Sequence, residues 1–563
     1  MRILFLTHSF NSLTQRLLVD LTEAGHEVSI EFDIADSVTE EAVALYQPDI
    51  ILAPFLKRTI PAEIWRNNLC LVVHPGIAGD RGPSALDWAI QQGKSVWGVT
   101  VLQANEVMDG GDIWAAETFP MGLEKKSSLY RNQVTEAASR AVAAAVAHYL
   151  QGGFQPCPLE SWQDARGEMH PLMRQADRQI NWKLDDTRTV LRKIHAADGF
   201  PGVKDELFGV PCFLFDAHAE PDMAGRPGAL LGWRGHAVVR ATRDGAVRIG
   251  HVRRPDGAHT FKLPASVAFA SKLESLPLLD DAGADGIRYA EMDGVGYLYF
   301  DFYNGAMSTD QCQHLLAAYR KACARQTRII VLMGGEDFWS NGIHLNLIEA
   351  ADSPADESMR NIQAMDDLAE AILRTTSHLT VAALASNAGA GGAFLALTAD
   401  LVWARPGIIL NLHYKNMGNL YGSEFWTYTL PKRVGAEQAN GIMQNRLPLG
   451  GEQARRMGIV DACFAGDVAS FHNEVRKRAS LLSVMPDYAE RLASKIDARQ
   501  RDESIKSLMQ YRELELAEMQ RNFYGFDPSY HYARYQFVHR VLHSWTPRHL
   551  CKHRNIRPLI TSS

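Results

Sequence analysis

Two segments of this 563-residue sequence carry residues that could take part in chemistry. The later one begins with a turn of small residues at 388–392 (AGAGG) and continues as an apolar segment with helical spacing. Glycine lets the backbone approach a ligand closely, and the first turn of a helix has unpaired N–H groups. Such a turn suits an oxygen atom that gains negative charge during a reaction. A buried packing turn is the alternative, and glycines alone favour it.

The earlier segment pairs a histidine with a carboxylate loop. His74 directly follows the apolar run 69–73, and Asp109 lies in the glycine-containing stretch 108–113 (MDGGDI). A histidine at a strand end with a carboxylate nearby can form an acid/base pair. Taken singly, such a histidine is more often a hydrogen-bonded structural residue, and Asp-Gly is a common turn.

Composition limits the class of protein that presents these residues. The chain is 46% hydrophobic and 22% charged, which is typical of globular proteins, and it is too long for one core. Its net charge of −7, without a basic block, argues against nucleic acid as a partner. Seven scattered cysteines, never in CxxC spacing, predict a reducing, cytoplasmic location. The first apolar run is too short for a signal peptide, and none approaches a membrane span.

Strands and helices alternate along residues 1–149. Short apolar runs at 3–6, 50–52 and 69–73 are separated by segments with helical spacing, such as 13–24. This order predicts a parallel sheet whose ligands gather at the carboxyl ends of its strands. Because no GxGxxG follows the first strand, dinucleotide binding is not supported.

Four motifs in this region resemble the catalytic domain of folate-dependent formyltransferases, the group that includes methionyl-tRNA and glycinamide ribonucleotide formyltransferases. They are Val72-Val73-His74-Pro75, Arg81-Gly82, Gly98-Val99-Thr100 and Asp109-Gly110-Gly111-Asp112. The resemblance implies that His74 stabilises the formyl oxyanion and that Asp109 manages protons. It also implies that 10-formyl-tetrahydrofolate lies near Pro54, Phe55, Leu56 and Asn105. The family's asparagine is Val72 here and the His-to-Arg interval is one residue short, which counts against the usual amine acceptor.

The sequence pattern changes after residue 174, from alternating strands and helices to short strands. Short alternating strands such as 237–240 (AVVR), separated by glycine and proline turns, predict a small β-barrel. The stretch resembles the OB-like carboxyl-terminal domain of the tRNA formyltransferases, which leaves open a folate- and nucleotide-handling role or a role as a structural spacer.

A second α/β region follows a linker and resembles the crotonase superfamily, the enoyl-CoA hydratases and isomerases. The matching motifs are 338–343 (FWSNGI) and the glycine cluster that begins a helix ending in Asp400. The resemblance implies a ββα superhelix in which the N–H groups of Ile343 and Gly391 form an oxyanion hole for a coenzyme A thioester carbonyl. Two fixed donors at that oxygen lower the barrier to any reaction that places charge there.

The glutamate pair of the hydratases is absent from this region. The equivalent positions are Phe394 and Tyr414, and Glu424 stands where the family usually has glycine. We therefore predict Tyr414 and Glu424 as catalytic residues, with His413 and Tyr421 close in sequence. The alternative is that Tyr414 is a core residue and Glu424 caps a helix.

The predicted architecture is a multidomain α/β protein with a polar, helical C-terminal extension. His539 and His543 are spaced i, i+4, but no acidic partner motif accompanies them, so no metal site is predicted. The predicted parts are a formyltransferase-type parallel-sheet domain (1–173), an OB-like domain (174–272), a linker (273–285), a crotonase-like domain (286–480) and the extension (481–563).

Nearly the whole chain resembles the HoxX-type maturation proteins of nickel-iron hydrogenases, through HPGIAGDRGPS and HYKNMGNLYGSEFW. The resemblance implies synthesis of carbon monoxide from the formyl group of 10-formyl-tetrahydrofolate. Our hypothesis has two steps, formyl transfer to coenzyme A and decarbonylation of formyl-CoA, with hydrogenase maturation proteins receiving the CO. Two alternatives stay open: a crotonase-type acyl-CoA hydrolase or isomerase with a degenerate first half, and a non-enzymatic hydrogenase assembly scaffold.

Overall fold

The computed structural model describes residues 1–220, 222–279 and 286–555, and the chain divides into two compact units. One unit contains Met1–Leu279 and the described residues from Leu542 onward, and the other lies within Asp280–Val541. The seven cysteines, all among the described residues, form no disulfide bond. In the described ranges, no helix is both long and apolar enough to cross a bilayer.

The first unit begins with alternating strands and helices. The strands are β1 (Arg2–Thr7), β2 (Glu27–Phe32), β3 (Ile50–Phe55), β4 (Cys70–His74), β5 (Val96–Gln103) and β6 (Ile113–Pro120). The helices are α1 (Ser12–Glu23), α2 (Asp36–Tyr46), α3 (Ala62–Asn67), α4 (Ala85–Gln92), α5 (Lys126–Leu129) and α6 (Thr135–Gln151), with a π-helical turn at Tyr130–Val134 and 3-10 turns at Leu159–Ser161 and Gln175–Arg178.

These strands form one sheet in the order β2-β1-β3-β4-β5-β6. The first four strands are parallel, as predicted, and β5 and β6 are antiparallel to their neighbours. His74 ends β4, where it pairs with Thr100 of β5, and the proline that follows has no N–H to continue the ladder. The sheet therefore presents His74 at the carboxyl end of its fourth parallel strand.

A second, antiparallel sheet completes most of this unit. Its elements are α7 (Thr187–Ala197), β7 (Val203–Leu207), β8 (Val210–Ala219), β9 (Leu230–Arg234), β10 (Ala237–Ala241), β11 (Ala246–Arg253), β12 (Lys262–Pro264), α8 (Ala265–Ala268) and α9 (Ala270–Leu273). The strand order is β7-β8-β11-β10-β9, with β12 beside β11. The predicted strands are confirmed, while the OB-like detail stays a prediction. Residues 280–285 of the predicted linker lie outside the described residues, and the five-part division of the chain also stays a prediction.

The described end of the chain packs along the edge strand β2. The Ile30 N–H donates to the carbonyl of Leu550 at 3.0 Å, and the buried Glu31 carboxylate accepts hydrogen bonds from His553 and Arg554. An edge strand has unpaired backbone groups, and this segment satisfies some of them. For that reason the predicted helical extension does not continue through these residues, which contain one 3-10 turn at Lys552–Arg554.

The second unit is built from short strands and longer helices. The strands are β13 (Ile287–Met292), β14 (Val295–Phe300), β15 (Ala306–Met307), β16 (Ile329–Gly334), β17 (Phe338–Ser340), β18 (Gly342–Ile343), β19 (Leu379–Leu384), β20 (Asn387–Gly389), β21 (Leu401–Ala404), β22 (Ile409–Asn411), β23 (Leu449–Gly450) and β24 (Ala462–Cys463). The helices are α10 (Thr309–Cys323), α11 (Leu345–Ala350), α12 (Pro354–Leu373), α13 (Gly391–Ala396), α14 (Trp426–Val434), α15 (Ala436–Asn445), α16 (Gly451–Arg456), α17 (Val468–Val484), α18 (Tyr488–Ile505), α19 (Leu508–Tyr524) and α20 (Ser529–Val538), with a 3-10 turn at Tyr303–Gly305.

Most strands of this unit belong to two sheets, and β15 and β18 form a separate two-stranded pair. One sheet has the order β13-β14-β16-β19-β21-β24, and the other has the order β17-β20-β22-β23. Neighbouring residues of β16 face opposite sides, so that Val331 packs in the core beneath α17 and Leu332 packs in the larger core that contains Phe394. The predicted crotonase-type superhelix is confirmed.

The turn between β20 and α13 has a strained backbone. Ala390 has φ 47° and ψ −131°, a conformation that residues with a Cβ rarely adopt. Its N–H donates to the carbonyl of Asn411 at 2.9 Å, and its own carbonyl accepts from the N–H groups of Ala393 and Phe394. These bonds hold the strained residue directly before Gly391.

Leu298→Ala should test the core of the second unit. Leu298 is fully buried on β14, so the cavity should lower the free energy of unfolding by about 2–5 kcal/mol. Leu481, which is 56% exposed on α17, provides the matched control: Leu481→Ala should change it by less than about 0.5 kcal/mol. Denaturant unfolding of both variants measures the difference, and similar effects at the two positions would contradict the assigned core.

Ala390→Gly should test the strained turn. Glycine adopts positive φ without a Cβ clash, so we expect the free energy of unfolding to stay unchanged or to rise by about 1 kcal/mol. Ala396→Gly at the end of the helical segment α13 is the control and should lower it by about 1 kcal/mol. A clear loss of stability in Ala390→Gly would show that the turn is not strained.

Candidate active sites

In the first unit, His74 lies between two carboxylates. Its Nε2 is 2.8 Å from Asp80 Oδ2, and its Nδ1 is 3.5 Å from Asp109 Oδ1. The ring is 5% exposed and the Asp80 side chain is fully buried, whereas Asp109 is 16% exposed. The arrangement fixes the ring through Nε2 and leaves its other nitrogen towards a carboxylate that solvent can reach, as an acid/base pair requires.

The loop after β5 brings Asp109 to His74. In the sheet, the end of β5 at Gln103 pairs with Leu71, not with His74, so the loop must run back along β4. Asp109 has a positive φ of 52°, and its Oδ2 accepts a hydrogen bond from the Gly82 N–H at 3.1 Å. The predicted neighbourhood of His74 and Asp109 is therefore present in the structure.

Asp80 is a site residue that our sequence reasoning did not select. Its Oδ1 has no hydrogen-bond partner among the described residues and lies 3.6 Å from Nδ1 of His170. A carboxylate six residues after the histidine and directly before Arg81 was the available signal. That signal was weak, because nothing local indicates that the loop folds Asp80 back beneath the ring.

The residues predicted to bind folate fall into two groups. Pro54 and Phe55 end β3, which runs parallel to β4, so they lie at the same sheet edge as His74, and Leu56 follows them. Asn105 is exposed, and its side chain accepts a hydrogen bond from the Val107 N–H within its own loop. The structure thus places the first three beside the candidate site, and their binding role stays a prediction.

In the second unit, the loop between β22 and α14 brings Tyr414 and Glu424 together. The Tyr414 hydroxyl lies 2.5 Å from Glu424 Oε2 and 3.0 Å from the Ser423 carbonyl. The phenol has one proton, so it donates to the Ser423 carbonyl while it accepts from a protonated Glu424, or it donates to an ionised one. The ring stacks on Phe394 with 5.1 Å between centroids.

Glu424 is directed at the glycine turn. A Cβ on Gly391 would overlap the Glu424 carboxylate, and Glu424 Oε1 is buried without a hydrogen-bond partner among the described residues. Gly342 approaches the same turn, since a Cβ there would lie 3.1 Å from the Gly391 nitrogen. Ile343 follows Gly342 and pairs with Met307 through β15. The structure therefore brings Gly391, Glu424 and the segment that contains Ile343 to one place.

Burial raises the pKa of both Glu424 and Tyr414 in this second site. Burial, and then the negative charge of Asp366, raise the pKa of Glu424 well above the ordinary glutamate value. Burial and the negative charge of Glu424 also raise the pKa of Tyr414, so it stays a phenol at neutral pH. A carboxyl group that holds its proton near neutral pH can act as either acid or base there.

The remaining candidates have other neighbours. His413 is buried, and the Tyr421 ring packs against Trp426 at 5.4 Å between centroids. His539 contacts Glu349, and the ring of His543 packs on Phe32. No cluster of three His, Cys, Asp or Glu side chains suited to a metal ion occurs in the part of the chain that the structure describes.

Comparison with known families agrees with this geometry. Family models match three segments: formyl transferase at residues 2–146, formyl transferase C-terminal domain at 172–260, and enoyl-CoA hydratase/isomerase at 299–526. Methionyl-tRNA formyltransferase of Ralstonia nicotianae is 28% identical over 231 residues, which cover 40% of this chain and 68% of that protein.

Two relatives span almost the whole chain. The hydrogenase maturation factor HoxX of Bradyrhizobium diazoefficiens is 54% identical over 554 residues, covering 98% of this chain and 97% of that protein. The crystal structure of HypX from Aquifex aeolicus in complex with tetrahydrofolic acid has a TM-score of 0.95 and 47% identity, and covers 99% of each chain. The chain therefore belongs to the family of hydrogenase maturation factors that includes HoxX and HypX, which joins formyltransferase domains to an enoyl-CoA hydratase-like domain.

Proposed function

We propose that this protein makes carbon monoxide for the active site of a nickel-iron hydrogenase, in two steps that use 10-formyl-tetrahydrofolate and coenzyme A. The observation that carries the proposal is the Glu424 carboxylate, which is buried beside Gly391 with Oε1 unpartnered among the described residues. An unpaired buried acceptor is unfavourable, and such groups concentrate at functional sites.

In the first step, a formyl group passes from the folate nitrogen to the thiol of coenzyme A. The new bond is C–S, the broken bond is C–N, and the thiol proton ends on the folate nitrogen. His74 stabilises the oxyanion of the tetrahedral intermediate, and Asp109, the more exposed of its two carboxylate neighbours, carries the proton. A thiolate is a strong nucleophile that needs no amide partner to activate it, which agrees with Val72 at the family's asparagine position.

In the second step, formyl-CoA gives CO and free coenzyme A. The N–H groups of Ile343 and Gly391 hold the thioester carbonyl, and Glu424 Oε1 takes the formyl proton while the C–S bond breaks. Tyr414, hydrogen-bonded to Glu424 Oε2, returns a proton to the departing sulfur. Atoms balance, since one proton leaves carbon and one arrives at sulfur.

Four similarities support the assignment of substrates and partners. The Aquifex relative binds tetrahydrofolic acid, and the formyl transferase model matches the domain that carries His74. Coenzyme A fits the enoyl-CoA hydratase/isomerase match, and the glycine-lined approach between Gly342 and Gly391 suits a thioester. Because the Bradyrhizobium relative is a hydrogenase maturation factor, we take hydrogenase maturation proteins as the receivers of CO.

Variants in the two halves should separate the two steps. The full-length protein is incubated with 10-formyl-tetrahydrofolate and coenzyme A, and CO is trapped with reduced haemoglobin. Glu424→Gln should abolish CO and leave formyl transfer intact, because it removes the base but no residue of the first half. Asp109→Asn should lower formyl transfer by about 100-fold or more and still release CO from added formyl-CoA.

Two exposed residues provide the matched controls. Asp164, 77% exposed in its side chain, and Glu437, exposed on α15, should tolerate Asp164→Asn and Glu437→Gln without loss of either step. No CO from folded wild-type protein would contradict the proposal. Release of formate and coenzyme A from formyl-CoA would instead favour the acyl-CoA hydrolase alternative.

A further inference from the structure

Glu424 stands in an unusual stretch of backbone. Glu424 and Phe425 are consecutive residues with a side chain, and both have φ near 58°. Residues other than glycine seldom adopt this left-handed conformation, and then mostly as single residues. Surrounding groups must hold the pair in place, since such strain persists only where the structure enforces it.

Asp366 of α12 holds the first of the two residues. Its Oδ1 accepts a hydrogen bond from the Glu424 N–H at 2.9 Å. The same carboxylate accepts from the Ser423 hydroxyl, at 2.7 Å through Oδ1 and 2.8 Å through Oδ2. Asp366 is fully buried, so these are hydrogen bonds to a charged acceptor away from water, which are stronger than bonds between neutral groups.

Glu515 of α19 holds the second. Its Oε2 accepts from the Phe425 N–H at 2.9 Å, and its Oε1 accepts from the Thr427 N–H at 2.9 Å and from the Thr427 hydroxyl. Glu515 is also fully buried. Each strained residue therefore has its backbone N–H bonded to a carboxylate from a different helix.

Helix capping alone does not account for this arrangement. Phe425 is the N-cap of α14, so a side chain at the position of Glu515 is needed to satisfy the first N–H groups of that helix. Neutral serine, threonine or asparagine caps as well as a carboxylate does. Two buried acids beside a third, Glu424, are therefore more than capping needs, because like charges in a dry environment repel each other.

The titratable and charged groups around Glu424 come from its own loop and from three helices: Tyr414, Asp366, Cys312, Glu515 and Arg512. Arg512 is the cation of this set, and it lies 4.0 Å from Asp366 while it also pairs with Asp367 and Glu370. Burial raises the pKa of Glu515 to about 8, and burial also raises the pKa of Asp366. One shared guanidinium at the edge therefore does not fully compensate the negative charge of Asp366, which acts on the proton of Glu424.

We propose that Asp366 and Glu515 are positioning residues for Glu424: their hydrogen bonds to the N–H groups of Glu424 and Phe425 direct Oε1 at the Gly391 turn, and the negative charge of Asp366 favours the protonated form of Glu424. The inference rests on the proposed function of Glu424 as the proton-moving residue. A carboxyl group whose proton leaves and returns near neutral pH serves that role better than one that is always ionised.

Asp366→Asn should shift the pH dependence of CO release. Asparagine keeps an oxygen that can accept from the Glu424 N–H, but it removes the negative charge and so makes ionisation of Glu424 easier. With added formyl-CoA, the rising limb of the rate against pH should move to lower pH by about one unit. Glu515→Gln keeps a neutral acceptor for the Phe425 N–H, and because burial raises the pKa of Glu515 to about 8, it should move the limb less than Asp366→Asn does.

One control separates the charge of Asp366 from other charges on the same helix. Asp367→Asn removes a charge at a side chain that is 51% exposed. Besides burial, the negative charge of Asp367 raises the pKa of Asp366, so without it Asp366 stays ionised and the limb should not move to lower pH. A folded Asp366→Asn protein with wild-type pH dependence would overturn the proposal.

A second readout does not depend on activity. Infrared difference spectroscopy follows the C=O band of protonated Glu424, identified by its absence in Glu424→Gln, and its titration midpoint should fall in Asp366→Asn. If wild-type protein makes no CO but the midpoint falls, the proposed function fails while the positioning role stands. If CO is made and the midpoint does not move in Asp366→Asn, the proposed role of Asp366 is wrong.

The stability of the fold should show the same coupling. Because the pKa of Glu424 is raised in the folded protein, its contribution to stability is fully present below about pH 4.5, the ordinary value, and is lost as pH rises through the raised pKa. The melting temperature of the wild type relative to Glu424→Gln should therefore fall across this window. The fall should end at a lower pH in the Asp366→Asn background, and an unchanged end point would contradict the charge effect.

Discussion

The second candidate site depends on one constraint, the contact between the Glu424 carboxylate and the backbone of Gly391, which has no side chain. A side chain on Gly391 would occupy the space of the carboxylate, and a side chain on Gly342 would press on the Gly391 nitrogen. Because both positions are glycine, the Glu424 carboxylate lies close to the N–H groups at the start of α13. The strained conformation of Ala390 belongs to the same constraint, because it turns the chain immediately before those groups.

Three acidic side chains are buried around that contact. Asp366, Glu424 and Glu515 are fully buried. Each carboxyl group must therefore be stabilised by hydrogen bonds from the protein or by keeping its proton. Backbone N–H groups, the Ser423 hydroxyl and the Tyr414 phenol provide those bonds. Burial therefore raises the pKa of each of these carboxyl groups above its ordinary value, a property associated with functional sites.

The first unit also places a titratable side chain, His74, beside buried or partly buried carboxylates. His74 has the fully buried Asp80 at one nitrogen and the more exposed Asp109 near the other, so one carboxylate orients the ring and the other can be reached by solvent. Asp80 holds the ring from within the loop that directly follows His74.

Much of the fold and part of the chemistry followed from local patterns. The apolar run 69–73 predicted the strand that leads to His74, since buried parallel strands are apolar on both faces. The glycine cluster at 388–392 indicated a close backbone approach, and a Cβ on Gly391 would overlap the Glu424 carboxylate. The motifs around His74, Asp109, Tyr414 and Glu424 were sufficient to select those residues, and the structure brings them together in two pairs.

Only the tertiary structure decided what surrounds those pairs. Asp366 and Glu515 lie 58 and 90 residues from the N–H groups they bind, and each sits within a helix whose local sequence resembles a solvated or capping face. The path of the described chain end along β2, where a helix was predicted, is a similar case. Local periodicity specifies which face of an element is buried. Which polar groups meet across that face depends on the register and crossing of packed elements, and these are properties of the whole fold.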